Sequence, residues 1–310
     1  MLGECRIAIE RLLRVIFRSS LFNLPTFSQS HNHPIYQFSA LAVIATACVS
    51  GQSQTPASSC EQVGRQQVLP TVPEASGIAH AGGMLWAHND SDAPVLYRLD
   101  GAGRATPVTV VGADVRDWED LASAPCQTGT CLYIADIGDN RASRERVTIY
   151  EVPVPAPGST STKPANAFHA RYPDRPHDAE ALLATRQAGI FIITKEASPR
   201  VYRFAVSQYP GETSTLAFVR TLNEKERITG AAASPDGRWV ALRSNRTLLL
   251  YTLDDFVKAR NPVRVDLKSF KEPQGEGVAF GSRGEIYLVS EGGGNDAAGV
   301  LMRIHCAFIQ

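Results

Sequence analysis

Beyond residue 60 the apolar residues come in short runs, β-branched or aromatic, closed off by Gly, Pro, Asn or Asp. Such runs read as strands, and no stretch there keeps a helical period for several turns. One segment recurs five times. It has a hydroxyl or Glu at its second position, a small or acidic residue at its third, and an apolar run after it. The copies are Ala75-Ser76-Gly77-Ile78-Ala79, Trp118-Glu119-Asp120-Leu121-Ala122, Ala179-Glu180-Ala181-Leu182-Leu183, Ile228-Thr229-Gly230-Ala231-Ala232 and Gly275-Glu276-Gly277-Val278-Ala279. Their second positions lie 43, 61, 49 and 47 residues apart, the size of a four-stranded propeller blade.

The chain downstream of each copy is repetitive too. Second strands are expected at Met84–Ala87, Cys131–Ile134, Ile190–Ile193, Trp239–Leu242 and Ile286–Val289, and third strands from Val95, Val147, Val201, Leu248 and Val300. Fourth strands are expected at Pro107–Val111, Ala167–Tyr172, Leu216–Leu222 and Pro262–Leu267. The fifth repeat ends with the chain and lacks one, which Gln66–Pro70 can supply. The expectation is an all-β, five-bladed β-propeller over residues 62–310, its N-terminal strand closing the last blade. A sixth blade hidden in residues 140–175 is the alternative.

Composition agrees. The 310 residues are 44% hydrophobic, enough for a substantial core, and 24 Gly with 19 Pro make the chain rich in turns. Lys plus Arg equals Asp plus Glu at 31 each, which argues against a basic nucleic-acid-binding surface.

The first residues differ from the rest. An apolar, basic stretch from Cys5 to Phe22 precedes a short apolar run, Tyr36–Ala47, ending in Ala45-Thr46-Ala47-Cys48. That run is too short to span a bilayer but suits a signal peptide. Residues 1–48 are therefore expected to be an export segment of lipoprotein type, with Cys48 as the acylated residue. The charged region ahead of it is long, which points to a start codon downstream of Met1. Residues 49–61 read as a tether. The expected location is periplasmic or membrane-anchored, with membrane contact only through the lipid.

The remaining cysteines fit an oxidising compartment. Cys126 and Cys131 bracket a turn between two strand-like runs, and Cys60 and Cys306 stand at the two ends of the mature chain. Pairing the second two would staple a closed ring.

In a propeller the innermost strands line a central tunnel. The repeated segment then delivers Ser76, Glu119, Glu180, Thr229 and Glu276 to one axis. Three carboxylates facing one another repel unless compensated, and Ca²⁺ takes such oxygen donors with tolerant geometry. Second-strand ends and the tunnel starts add a polar face. His88, His177, Asp117 and Asp178 are acid/base candidates there, and Asn89, Asp90, Asp139, Asn140, Lys195 and Arg243 are candidates for binding a small anionic ligand.

The stretches Leu85-Trp86-Ala87-His88-Asn89-Asp90-Ser91, Asp117-Trp118-Glu119-Asp120-Leu121-Ala122, Asp136-Ile137-Gly138-Asp139-Asn140, Pro176-His177-Asp178-Ala179-Glu180 and Gln274-Gly275-Glu276-Gly277 resemble a family of uncharacterised exported bacterial propellers. The order hydroxyl, Glu, Glu, hydroxyl, Glu is more distantly similar to that of the five-bladed calcium-activated nucleotidases (soluble apyrases). Phytase-like propellers are looser relatives still. The nucleotidase resemblance implies the same five residues as calcium ligands and hydrolysis of a phosphate ester or anhydride. The other reading is a non-catalytic propeller recognising a protein or glycan at the cell envelope.

Overall fold

A computed structural model describes residues 60–204, 209–294 and 297–309. The expected export segment, Cys48 and the tether up to residue 59 lie outside the described residues. Five sheets make five blades. Blade I is β3 (Ala75–Ala81), β4 (Met84–Asn89), β5 (Val95–Leu99) and β6 (Ala105–Thr109). Blade II is β7 (Trp118–Cys126), β8 (Gly129–Asp136), β9 (Val147–Pro153) and β10 (Asn166–Arg171). Blade III is β11 (Ala179–Thr185), β12 (Gly189–Thr194), β13 (Arg200–Arg203) and β15 (Ala217–Thr221), with β14 (Thr213–Thr215) between the last two in sequence. Blade IV is β16 (Gly230–Ala233), β17 (Trp239–Arg243), β18 (Thr247–Thr252) and β19 (Val263–Asp266), with a one-turn helix α1 (Leu253–Val257). Blade V is β20 (Gln274–Phe280), β21 (Glu285–Glu291) and β22 (Gly299–Cys306), completed by β1 (Cys60–Gln62) and β2 (Gln67–Leu69).

The closure is as expected and extends further toward the N-terminus. Both β1 and β2 pair antiparallel with β22, so Cys60 and Glu61 belong to the sheet and not to a tether. Cys60 stands directly opposite Cys306, and the two are disulfide-bonded. Cys126–Cys131 closes the β7–β8 hairpin.

Residues 140–175 hold no sixth blade. The excess length of the second repeat is loop stitched to its neighbours: Thr109 donates to Thr160 O, Thr162 to Thr109 O and Ala165 to Val111 O, binding the β9–β10 loop to the edge of blade I. In the same way β14 leaves blade III and pairs parallel with β10. Outer edges that would otherwise expose unpaired backbone are thereby covered.

The core is divided as the blades are. Five apolar clusters each fill one junction between neighbouring sheets, from Trp86 and Trp118 between blades I and II to Leu69, Ile78 and Val289 between blades V and I. Alternation along each strand sends one set of side chains to either junction.

Candidate functional site

The second position of the repeated segment is special because it is bulged. In β3, β7, β11 and β20 the pairing register slips at that point, so Ser76, Glu119, Glu180 and Glu276 fall at extra residues with no direct cross-strand partner. In blade IV, Thr229 donates its N–H to Arg243 O, the residue that already pairs with Gly230. A bulge re-aims a side chain, and here it re-aims five buried ones at the start of the innermost strands.

The third position explains why the ring is tight. At Gly77, Gly230 and Gly277 a side chain would strike the backbone of the next inner strand. Asp120 is the exception. Its carboxylate is fully buried and accepts from Leu121 N in its own strand, from Leu182 N in β11 (2.8 Å) and from Ala231 N in β16 (3.0 Å). One side chain thus ties blades II, III and IV together across the axis. Burial pushes this carboxyl well above its ordinary pKa, opposed by the three N–H donors. Sequence reading placed Asp120 near the tunnel but gave it no role. The one acidic residue among small ones at the third position was the available signal.

Above Asp120 lies a crowd of carboxylates. Burial raises Glu119 well above the usual range, and Asp117, Asp178 and Glu276 add repulsion. Burial also lifts Asp117, Glu276, Asp90 and Glu291, the last two to about 7, with Glu74 repelling both of these. Lys195 is the opposing cation. Its ammonium contacts Glu180 Oε1, while Glu180 Oε2 is buried without a partner. Gly138 sits between two of the acids, where a methyl group would overlap both Glu119 Oε1 and the Asp117 carboxyl.

The ring hydroxyls have work of their own. Ser76 donates to Glu119 O (2.7 Å), and Thr229 donates to Gly275 O and Glu276 O (3.0 and 3.1 Å), stitching inner strands of neighbouring blades. Glu276 Oε1 accepts from Gln274 Nε2. Among the described residues no three His, Cys, Asp or Glu side chains converge in ligand geometry. The donors suit a hard cation in kind, all of them oxygen, and the orphaned Glu180 oxygen and crowded acids favour one.

The remaining candidates divide. Asp117, Asp178, Asp90, Asn89 and Lys195 belong to the upper mouth. Asp178 Oδ1 holds Asp139 N, and Asn89 Oδ1 accepts from Glu74 N. Asp139 is buried and caps Arg144 N, so it shapes the loop and does not face ligand; Asn140 is exposed beside it. Three further expectations need correction. His88 is fully buried, its Nδ1 against Asn89 O and its ring edge-on to Trp118; burial lowers its pKa to about 4. It is a neutral core histidine. His177 is equally buried, set between Glu196 (2.7 Å), Asp174 (3.1 Å) and the Tyr202 hydroxyl (2.9 Å), away from the axis. Arg243 has no surface exposure and bonds Gly277 O, Val289 O and Glu272, a staple between blades IV and V in place of an anion contact.

At the other end of the same strands the axis opens into a cavity of about 520 Å³ lined by Ile78, Leu121, Ala122, Ala232, Ala279 and Phe280, among others. It exists because the fifth position of the segment is Ala in four of the five copies.

No family model and no curated protein sequence matches the chain. Solved structures similar to it include a PQQ-bound aldose sugar dehydrogenase from Streptomyces coelicolor, at 13% identity over 79% of this chain and 100% of that one, TM-score 0.45. A glutaminyl cyclase from Myxococcus xanthus is similar at 11% identity over 80% and 97%, TM-score 0.49. A gluconolactonase from Xanthomonas campestris is similar at 12% identity over 73% and 70%, TM-score 0.41. At these values no reaction or ligand carries across.

Proposed function

We propose that this protein is an exported propeller whose upper tunnel mouth holds a divalent cation, Ca²⁺ by the chemistry of its donors, and through it a small anionic ligand. The observation that carries this reading is the gathering of Asp117, Glu119, Glu276 and Glu291, all with raised pKa values, around the Lys195 ammonium that pairs with Glu180. Buried acids that resist ionisation become a cation site once the cation supplies the missing charge. Glu119, Glu180 and Glu276 would hold the ion, with Lys195 swinging off Glu180 to face the anion. Such an ion would stabilise charge on a bound phosphate ester. Asp117 and Asp178, on the same mouth, are the groups placed to take a proton from water.

The recognition reading has its own support. Both histidines in the acid/base set are buried, His88 with Nδ1 on Asn89 O and His177 between Glu196 and Asp174. A phosphate-release screen over nucleotides and phytate, with calcium and with EDTA, separates the two. Calcium-dependent release abolished by Asp117→Asn supports hydrolysis, whereas calcium binding without release leaves recognition.

A further inference from the structure

Away from the axis, a groove of about 500 Å³ runs along the junction where blade V meets blade I. Arg65, Gln67 and Arg303 line it from blade V; Arg98, Asp100 and Thr106 line it from blade I. Gln67 Nε2 ties the walls together by donating to Gly101 O at 2.7 Å. Two polar atoms are then left over in the interior: Arg98 Nη1 and Gln67 Oε1 are both buried without a hydrogen-bond partner. A buried guanidinium N–H with nothing to bond is costly and calls for an explanation.

The neighbouring charges do not supply one. The carboxylate of Asp100 is taken up within its own turn, by Ala102 N, Arg104 N and Arg104 Nε. Glu285 reaches Arg303 at 3.3 Å on the exposed side. The side chains of Arg65 and Arg98 have no ion pair or hydrogen bond among the described residues. Guanidinium forks match tetrahedral oxyanions, and three of them on one groove match a doubly charged one. An unsatisfied amide oxygen beside them suits a hydroxyl on the same ligand.

We propose that this groove binds a small phosphate monoester carrying a hydroxyl group, with Arg98 holding the phosphate from the floor, Arg65 and Arg303 closing over it, and Gln67 Oε1 accepting from the hydroxyl. The groove adjoins the lower cavity at His80 and Gly83 and shares no lining residue with the acids of the upper mouth, so its binding is independent of any cation there. The test is calorimetric titration of the full chain with glycerol 3-phosphate in EDTA, against sodium chloride of matched ionic strength. Saturable one-to-one binding is expected, at least about ten-fold weaker in Arg98→Gln and a few-fold weaker in Arg65→Gln. Arg65 lies on the exposed rim, so its variant reads the site even if Arg98→Gln folds poorly. No saturable signal above the chloride reference, or binding by both variants equal to the parent, overturns the proposal.

Discussion

The second position of the repeated segment brings Glu119, Glu180 and Glu276 to the upper mouth of the tunnel. Three residues along the same strands, the fifth position brings Ala79, Ala122, Ala232 and Ala279 to the lower one. Between them Asp120 spans the axis on three backbone N–H donors. The upper mouth is crowded with acids whose ionisation is suppressed, and the lower is an open, mostly apolar cavity. Backbone geometry produces the contrast: bulges turn large side chains inward at the strand starts, and regular pairing below them leaves room only where side chains are small. Charge is therefore concentrated where strand pairing is weakest.

The contrast breaks most severely if the boundary is removed. Asp120→Ala strands the N–H groups of Leu182 and Ala231 in the interior, and a loss of about 3–5 kcal/mol in denaturant unfolding is expected. Asp120→Asn keeps an acceptor and should lose about 1–2 kcal/mol.

Adding one small group to each mouth sharpens the contrast. Gly138→Ala forces its methyl between Glu119 and Asp117, costing about 1–3 kcal/mol and displacing the Glu119 carboxylate from the ring. Ala232→Val, facing the lower cavity, should stay within about 0.5 kcal/mol of the parent. Equal effects in thermal unfolding would deny that the two mouths are packed differently.

A smaller effect is expected from pH. Asp90 and Glu291 have folded pKa values near 7, above their unfolded ones, so the native state holds the extra protons. Stability in EDTA should fall as pH rises from about 4 to about 7. His88 works in the opposite sense: its folded pKa of about 4 lies below the unfolded one, so its contribution is lost as pH drops from about 6.5. Asp90→Asn with Glu291→Gln should weaken the first trend, the remainder coming from Asp117, Glu119 and Glu276, and leave the second. For these half-buried, solvent-screened acids the change is about 2–4 °C in Tm, or about 1 kcal/mol.

Blade number, closure and both disulfides were legible because each rests on a local pattern repeated or paired along the chain. The repeated position was legible for the same reason, as five copies set it at the start of each inner strand. The roles of His88, His177 and Arg243 were not. Each stands at a strand end or in a loop, where the chain order of residues does not say whether a side chain turns outward or back between blades. Arg243 and Lys195 stand at the ends of equivalent strands. One is sealed under Glu272 because Gly275 leaves room for its guanidinium, and the other reaches Glu180 of the ring. Cross-blade packing of this kind appears only once the sheets are assembled around the ring.

The most direct test of the cation site is calcium titration by calorimetry at pH 6 and pH 8, on the parent and on a Glu119→Gln, Glu276→Gln double variant. One calcium per chain is predicted, binding more tightly at pH 8 as the raised carboxyls ionise, and lost in the variant. Absence of binding at pH 8, or binding that survives in the variant with its affinity and pH dependence intact, would contradict the upper mouth as a metal centre.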